Sequence, residues 1–411
     1  MQACDSIAAI ENGKAPLDAA MLDSMSTGSS FIVDFWKQHY LDEFIRLGGS
    51  SVKFLVGRSG SGKTHTLLLL QQQARSCGFI NCFFSAKDVW LNDFRQIYLQ
   101  VLDSIDLDDL ISRLSGSVIN RMGYEPSEVP AGKNFITFLS DSNDYDGLTL
   151  RYLRQHLREA FLDNPMMDND FGQIMSMLVG SQLGYPQLDA SNRDFLVSWL
   201  HADGTQKIPA IRAQGLAPYK ITKYNARHML RSLLSAVSLA GYSGVFVCID
   251  DLEAMVSASP MDQVHYTKMK RDDTLESIRQ LIDDIDSFHN VMFVFSGGRE
   301  LVDNERFGFK SYQALWMRIQ NEVVGAKVNR FAGIIDLDKA ERQTFTPAML
   351  VEMSQKLVKA VGQNLDAIAI DEADAERLLS QAKMGDVPIP LLVNQATLRK
   401  LQNTIKEGDN A

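Results

Sequence analysis

The residues Gly57-Arg58-Ser59-Gly60-Ser61-Gly62-Lys63-Thr64 constrain this chain more than any other stretch. They fit G-x-x-x-x-G-K-[ST], between an apolar run from Val52 to Val56 that reads as a strand and a Thr66–Ala74 segment that reads as a helix. The residue types have a physical reason. Glycines let successive backbone N–H groups turn toward phosphate oxygens, and the start of the helix adds partial positive charge. In such a loop Lys63 reaches the β- and γ-phosphates, and the Thr64 hydroxyl faces Mg²⁺. Gly57, Ser59, Gly60, Ser61, Gly62, Lys63 and Thr64 are therefore candidate nucleotide-binding residues. His65 adjoins them and reads as a helix-packing residue of the same segment rather than a catalyst.

Further strand patterns stand at Ile80–Ser85, Val245–Ile249, Val291–Phe295 and Ala332–Leu337. Helix patterns alternate with them at Val89–Leu102, Asn225–Ala240, Leu275–Phe288 and Tyr312–Val323. Continuous apolar strands between helices predict an α/β core over residues 51–340, with an open parallel sheet covered on both faces. Residues 1–50 precede it, with helical patterns at Ala8–Ile10, Ala15–Met21 and Phe31–Leu47. The Ser24–Ser30 loop and the helix after it are expected to wall one side of a base pocket. From about 103 to 217 no strand pattern appears. Helix patterns at Leu148–Phe161, Phe171–Leu183 and Asn192–His201 predict a helical insertion there. Residues 341–411 carry helix patterns at Pro347–Val361, Glu372–Lys383 and Pro388–Ile405, which predict a small helical C-terminal domain.

A net charge of −10 gives no support for nucleic-acid binding over the whole surface, although it leaves a local basic face open. Cys4, Cys77, Cys82 and Cys248 lack zinc-site spacing and read as neutral thiols in a reducing compartment. The first 23 residues show no cationic stretch followed by an apolar one, and no apolar run reaches membrane-spanning length. A cytoplasmic protein without a membrane partner is expected.

Phosphoryl chemistry needs a carboxylate on Mg²⁺ and a group that orients water. The run Val245-Phe246-Val247-Cys248-Ile249-Asp250-Asp251-Leu252-Glu253 delivers acids to the end of a buried strand. Asp250 is the candidate Mg²⁺ residue together with Thr64. Asp251 is the first candidate base, one methylene shorter than the glutamate commonest there. Glu253 is the alternative, and in an extended chain it points to the same side as Asp251. Ser296, at the end of the 291–295 strand, is placed to approach the γ-phosphate, or else is a plain strand-end serine. Of Arg299, Arg306, Arg318 and Arg330, Arg318 is the first choice for stabilising charge on a neighbouring subunit's nucleotide and Arg330 the second. A surface salt bridge is the plain alternative for each. Tyr219, Lys220, Lys223, Tyr224, Arg227, His228 and Arg231 form the densest basic-aromatic cluster, which reads as a double-stranded DNA contact or as an exposed helix face.

With these residues in place, the chain resembles the AAA+ superfamily, and within it the ATP-binding proteins of bacterial phage-defence islands, the BREX family of BrxD and its relatives. Gly13-Lys14-Ala15-Pro16, Phe54–Thr64, Ile221–Ala226, Gly241-Tyr242-Ser243-Gly244, Arg306-Phe307-Gly308 and Ser311-Tyr312-Gln313-Ala314-Leu315-x-x-Arg318 carry the resemblance over most of the chain. It implies an ATPase using ATP and Mg²⁺, with an α/β core and a helical lid, acting with other defence-system proteins and with DNA; a homo-oligomer is expected besides. Two positions depart from the family pattern. The family has D-E-x-E where this chain has Asp250-Asp251-Leu252-Glu253, and a Pro-Arg pair where it has Pro388-Ile389. Both departures leave the binding groups in place and weigh against rapid hydrolysis.

Overall fold

The computed structural model describes residues 22, 26–28, 30–202, 218–257, 259–323, 327–360, 369–385 and 387–408. The helical patterns expected at Ala8–Ile10 and Ala15–Met21 lie outside the described residues, as do the last residues of the insertion. Helix α1 (Ser30–Trp36) continues as a π-helical stretch, Lys37–Ile45, which buries Tyr40, Leu41 and Ile45. Strand β1 (Ser50–Gly57) leads into helix α2 (Lys63–Ser76) and strand β2 (Phe79–Ser85). Helix α3 spans Phe94–Asp103 rather than beginning at Val89. The carbonyls of Ala86 and Val89 instead accept the Tyr266 hydroxyl, and the Asp93 side chain caps the helix by accepting from the Arg95 N–H.

The insertion holds α4 (Leu107–Arg121), α5 (Phe135–Asp141), α6 (Gly147–Leu157), α7 (Asn169–Leu183) and α8 (Ala190–Leu200), of which the first two were not anticipated. After it come α9 (Ala226–Leu239), β3 (Gly244–Asp250), α10 (Lys268–Asp283), β4 (Val291–Gly298), α11 (Glu300–Asp303), α12 (Gln313–Val323) and β5 (Ile334–Asp336). Helix α10 starts seven residues before the expected Leu275 and ends before Phe288, because its first turns are charged and Thr267 caps them. The last strand is short, and Leu337 opens a helix, α13 (Leu337–Thr344), capped by Asp336. Three helices follow: α14 (Pro347–Ala360), α15 (Glu372–Gly385) and α16 (Ile389–Gly408).

The five strands form one parallel sheet in the order β2-β3-β4-β1-β5. Alternation along each strand sorts its side chains between two faces. Val245, Val247, Ile249, Phe293 and Phe295 join the insertion helices in one core. Phe246, Cys248, Met292, Val294 and Leu55 face α2 and α1 on the other side. This is why β3 and β4 read as unbroken apolar runs. Helices α14–α16 enclose a third, separate core around Leu350, Leu378 and Val393. Cys82 and Cys248 are buried in the sheet, and burial pushes the Cys82 thiol up to about 12, which keeps it neutral. Among the described residues no helix is long and apolar enough to cross a membrane.

Candidate nucleotide site

The same alternation gathers the polar residues at the C-terminal edge of the sheet. Asp250 continues the Phe246–Cys248 side of β3, Ser296 continues the Met292–Val294 side of β4, and Gly57 continues the Leu55 side of β1. All three therefore fall on the face where α2 begins. The Thr64 hydroxyl donates to Asp250 Oδ2 at 2.7 Å, while Asp250 Oδ1 accepts the Asp251 N–H at 2.9 Å. Asp250 is 5% exposed, so its orientation is fixed on both oxygens.

The loop from Gly57 to Thr64 has the backbone that its glycines permit. Gly60 and Gly62 have φ of +87° and +75°, a region closed to most side chains. A Cβ on Gly57 would lie 2.4 Å from Ser61 Oγ, so a larger residue there would displace the Ser61 side chain. Lys63 Nζ donates to the carbonyls of Gly57 and Arg58 at 2.9 and 3.1 Å, which holds its charge over the loop. No side chain caps the first turn of α2. The hydroxyl oxygens of Ser61 and Ser296 are buried without a partner among the described residues. Uncapped N–H groups, a folded-back ammonium and two orphaned hydroxyls fit a polyphosphate; the Thr64–Asp250 pair supplies hard oxygen donors for Mg²⁺.

Asp251 and Glu253 part company, contrary to the expectation that they share a side. Asp251 has φ +58° and ψ +34°, so the strand ends in a left-handed residue, and Leu252–Met255 then forms a 3₁₀ turn. The Asp251 carboxylate turns toward β2, accepting from Ser85 Oγ at 2.7 Å and pairing with Lys87 Nζ. Glu253 is carried toward the end of β4, where its Oε2 accepts the Gly298 N–H at 2.8 Å. Burial raises the Glu253 carboxyl above its ordinary value, against the opposing pull of Lys63 and of the Gly298 N–H. The motif lysine thus acts on Glu253.

The arginines are all engaged. Arg318 Nη2 pairs with Asp283 Oδ2 at 2.6 Å on the α10–α12 flank, and its Nη1 donates to the Ala314 carbonyl. Arg330 stacks on the rings of Phe31 and Phe35, and Arg306 on that of Phe307. Arg299 bonds Asp303 and Asp336. In the basic-aromatic cluster Tyr219 and Tyr224 are 80% and 85% exposed, but Arg227 turns inward to Ser277 and the Phe94 ring. That cluster is not one surface.

The structure adds groups that the sequence reading missed. Asp338 on α13, 3% exposed, accepts from the Arg58 N–H with both oxygens at 3.2 Å and from Arg58 Nη1 at 3.3 Å. One turn later Glu341 accepts the Ile389 N–H at the start of α16. A Cβ on Gly60 would lie 2.9 Å from Leu391 Cβ, so α16 rests on the loop. Ile389, in the place of the family's arginine, is buried at 3% exposure. On the other flank His65 Nε2 lies 3.2 Å from Ser26 Oγ, and Lys356 of α14 donates to the Ser26 carbonyl. His65 ties α2 to the preceding loop. No local signal marks Asp338 or Glu341; Arg58 occupies an unrestricted position of the motif.

Compared with known proteins, residues 7–388 match a family model described as BREX system ATP-binding protein BrxC/D. No curated protein and no solved structure matches.

Proposed function

The chain belongs to the BrxC/D family of BREX-system ATP-binding proteins, a phage-defence system, and from that premise we propose that it is an AAA+-type ATPase hydrolysing Mg²⁺-ATP. The observation that carries this reading is the Thr64–Asp250 contact directly beside Lys63. When bound, Mg²⁺-ATP supplies the γ-phosphoryl group and the cation that neutralises its charge. The N–H groups of the Gly57–Thr64 loop and the Lys63 ammonium bind the phosphates, and Asp250 and Thr64 hold the ion. Glu253, rather than Asp251, takes the proton from the attacking water, since burial has raised its proton affinity while Asp251 is held by Lys87 and Ser85. The aspartate that departs from the family pattern therefore falls on a residue turned away from the reaction. Ser296 approaches the γ-phosphate from β4. The strand order and the seat of α16 on Gly60 support an AAA+ core with α14–α16 as its lid.

Hydrolysis would drive assembly or remodelling of a complex with other defence proteins. Self-association would present Arg318 to a neighbour's nucleotide, in exchange for its Asp283 pair. The test is turnover of Mg²⁺-ATP by the purified chain, alone and with its defence partners. Turnover lost in Lys63→Ala supports the reading, and its absence under every condition overturns it. A second reading adds duplex DNA, favoured by the exposed Lys220, Lys223 and Tyr224. It predicts salt-dependent affinity that falls in a Lys220→Glu/Lys223→Glu double variant, and unchanged affinity there would remove this surface.

A further inference from the structure

At the opposite edge of the sheet, where β3 and β4 begin, lies a half-open pocket of about 260 Å³. Its walls come from three parts of the chain: Met166 of the insertion, Arg231, Ser235, Ser238 and Leu239 of α9, and His289 and Asn290 of the turn into β4. Helix α9 buries its apolar side, including Met229, Leu230, Leu233 and Val237, in the core. Its two arginines one turn apart fare differently. Arg227 Nη1 and Nη2 bond Gln280 and Ser277 and its guanidinium lies over the Phe94 ring, although its Nε too is buried without an acceptor. Arg231 makes no hydrogen bond or ion pair with any described residue, and its Nε is buried without an acceptor.

A buried N–H is ordinarily paired, so the Arg231 Nε–H in this pocket calls for an acceptor. Among the described residues no carboxylate lines this pocket. The other polar groups are the Ser235 and Ser238 hydroxyls, His289, and Asn290, whose Nδ2 donates to the Ile45 carbonyl. Ser235 Oγ accepts from Asn164 Nδ2 at 3.2 Å, which leaves its O–H to donate, and the Ser238 hydroxyl is exposed. His289 Nδ1 donates to the Gly48 carbonyl at 3.0 Å, which fixes its ring at the pocket wall. One guanidinium and two hydroxyls, with Met166 and Leu239 beside them, complement an oxyanion on a small apolar body.

We propose that this pocket binds a small ligand through a carboxylate or phosphate group, paired with the Arg231 guanidinium. The site lies away from the Gly57–Thr64 loop and does not depend on the ATPase reading. Because that loop would itself take phosphate, the titrations belong in the Lys63→Ala chain. Calorimetric titration there with inorganic phosphate in one arm and butyrate in the other distinguishes the two sources. Saturable binding in either arm, weakened at least tenfold by Arg231→Gln, is the expected result. Arg231→Lys, which keeps the charge but loses the planar fork, should retain part of the affinity and guards against a folding defect in the first variant. No binding in either arm, or binding undiminished in Arg231→Gln, would overturn the proposal.

Discussion

On the sheet side of the Gly57–Thr64 loop, groups are set by strand register: Asp250, Ser296 and Gly57 reach one face because each continues an alternation begun in the core. On the helical side, the contacts join distant parts of the chain. Arg58 meets Asp338 across 280 positions, Gly60 meets Leu391, and Lys356 reaches back 330 positions to Ser26. The first side is set within a buried parallel sheet; the second is held by a few contacts from α13, α14 and α16. In the proposed function, chemistry falls to the sheet side and the helical side holds the loop in place.

Substitutions should divide along that line. The largest effect is expected at Glu253: Glu253→Gln should retain ATP binding and lower turnover by roughly 10²- to 10⁴-fold, the usual worth of a positioned base. Equal loss of binding and turnover would mean that Glu253 shapes the loop instead. On the helical side, Asp338→Ala removes the acceptor of the Arg58 N–H and guanidinium. It should cost about 1–3 kcal/mol in unfolding free energy and weaken ATP binding more than it slows hydrolysis. Unfolding curves and nucleotide titrations of the same variant separate those effects.

The smallest effect is expected at Glu341 and appears as a pH dependence. Burial first, then the Asp338 charge, raises the Glu341 carboxyl well above its ordinary value of 4.5. The folded state then holds this proton more tightly than the unfolded chain. Its contribution to stability is therefore greatest below the ordinary value and falls as pH climbs toward the folded one. Glu341→Gln keeps an acceptor for the Ile389 N–H and should flatten that decline, as denaturant midpoints measured from pH 5 to pH 8 would record. An unchanged slope would leave Glu341 outside the linkage.

The same division explains what could be read in advance. The runs Val245–Ile249 and Val291–Phe295 were legible because both faces of a parallel strand are buried, and the loop was legible because its glycines and lysine are dictated by phosphate. Helix α4 carried a signal that was passed over: Leu107, Leu110, Ile111, Leu114 and Val118 lie at helical spacing behind an Asp106 cap. Helix α13 was hidden because Asp336 ends β5 and caps the helix that follows it. The divergence of Asp251 and Glu253 rests on one left-handed backbone residue, which an aspartate tolerates without announcing it. Asp338 had no local signature at all, since its role depends on α13 packing beside the loop.

We propose that two carboxylates two residues apart have opposite duties, Glu253 toward the nucleotide and Asp251 toward Lys87. Steady-state ATP turnover of Glu253→Gln and Asp251→Asn, measured together with ATP binding under the conditions where the unaltered chain turns over, tests it most directly. The structure predicts near-complete loss in Glu253→Gln and a change of only a few-fold in Asp251→Asn, as befits a partly exposed ion pair. Loss confined to Asp251→Asn, with Glu253→Gln still active, would contradict it.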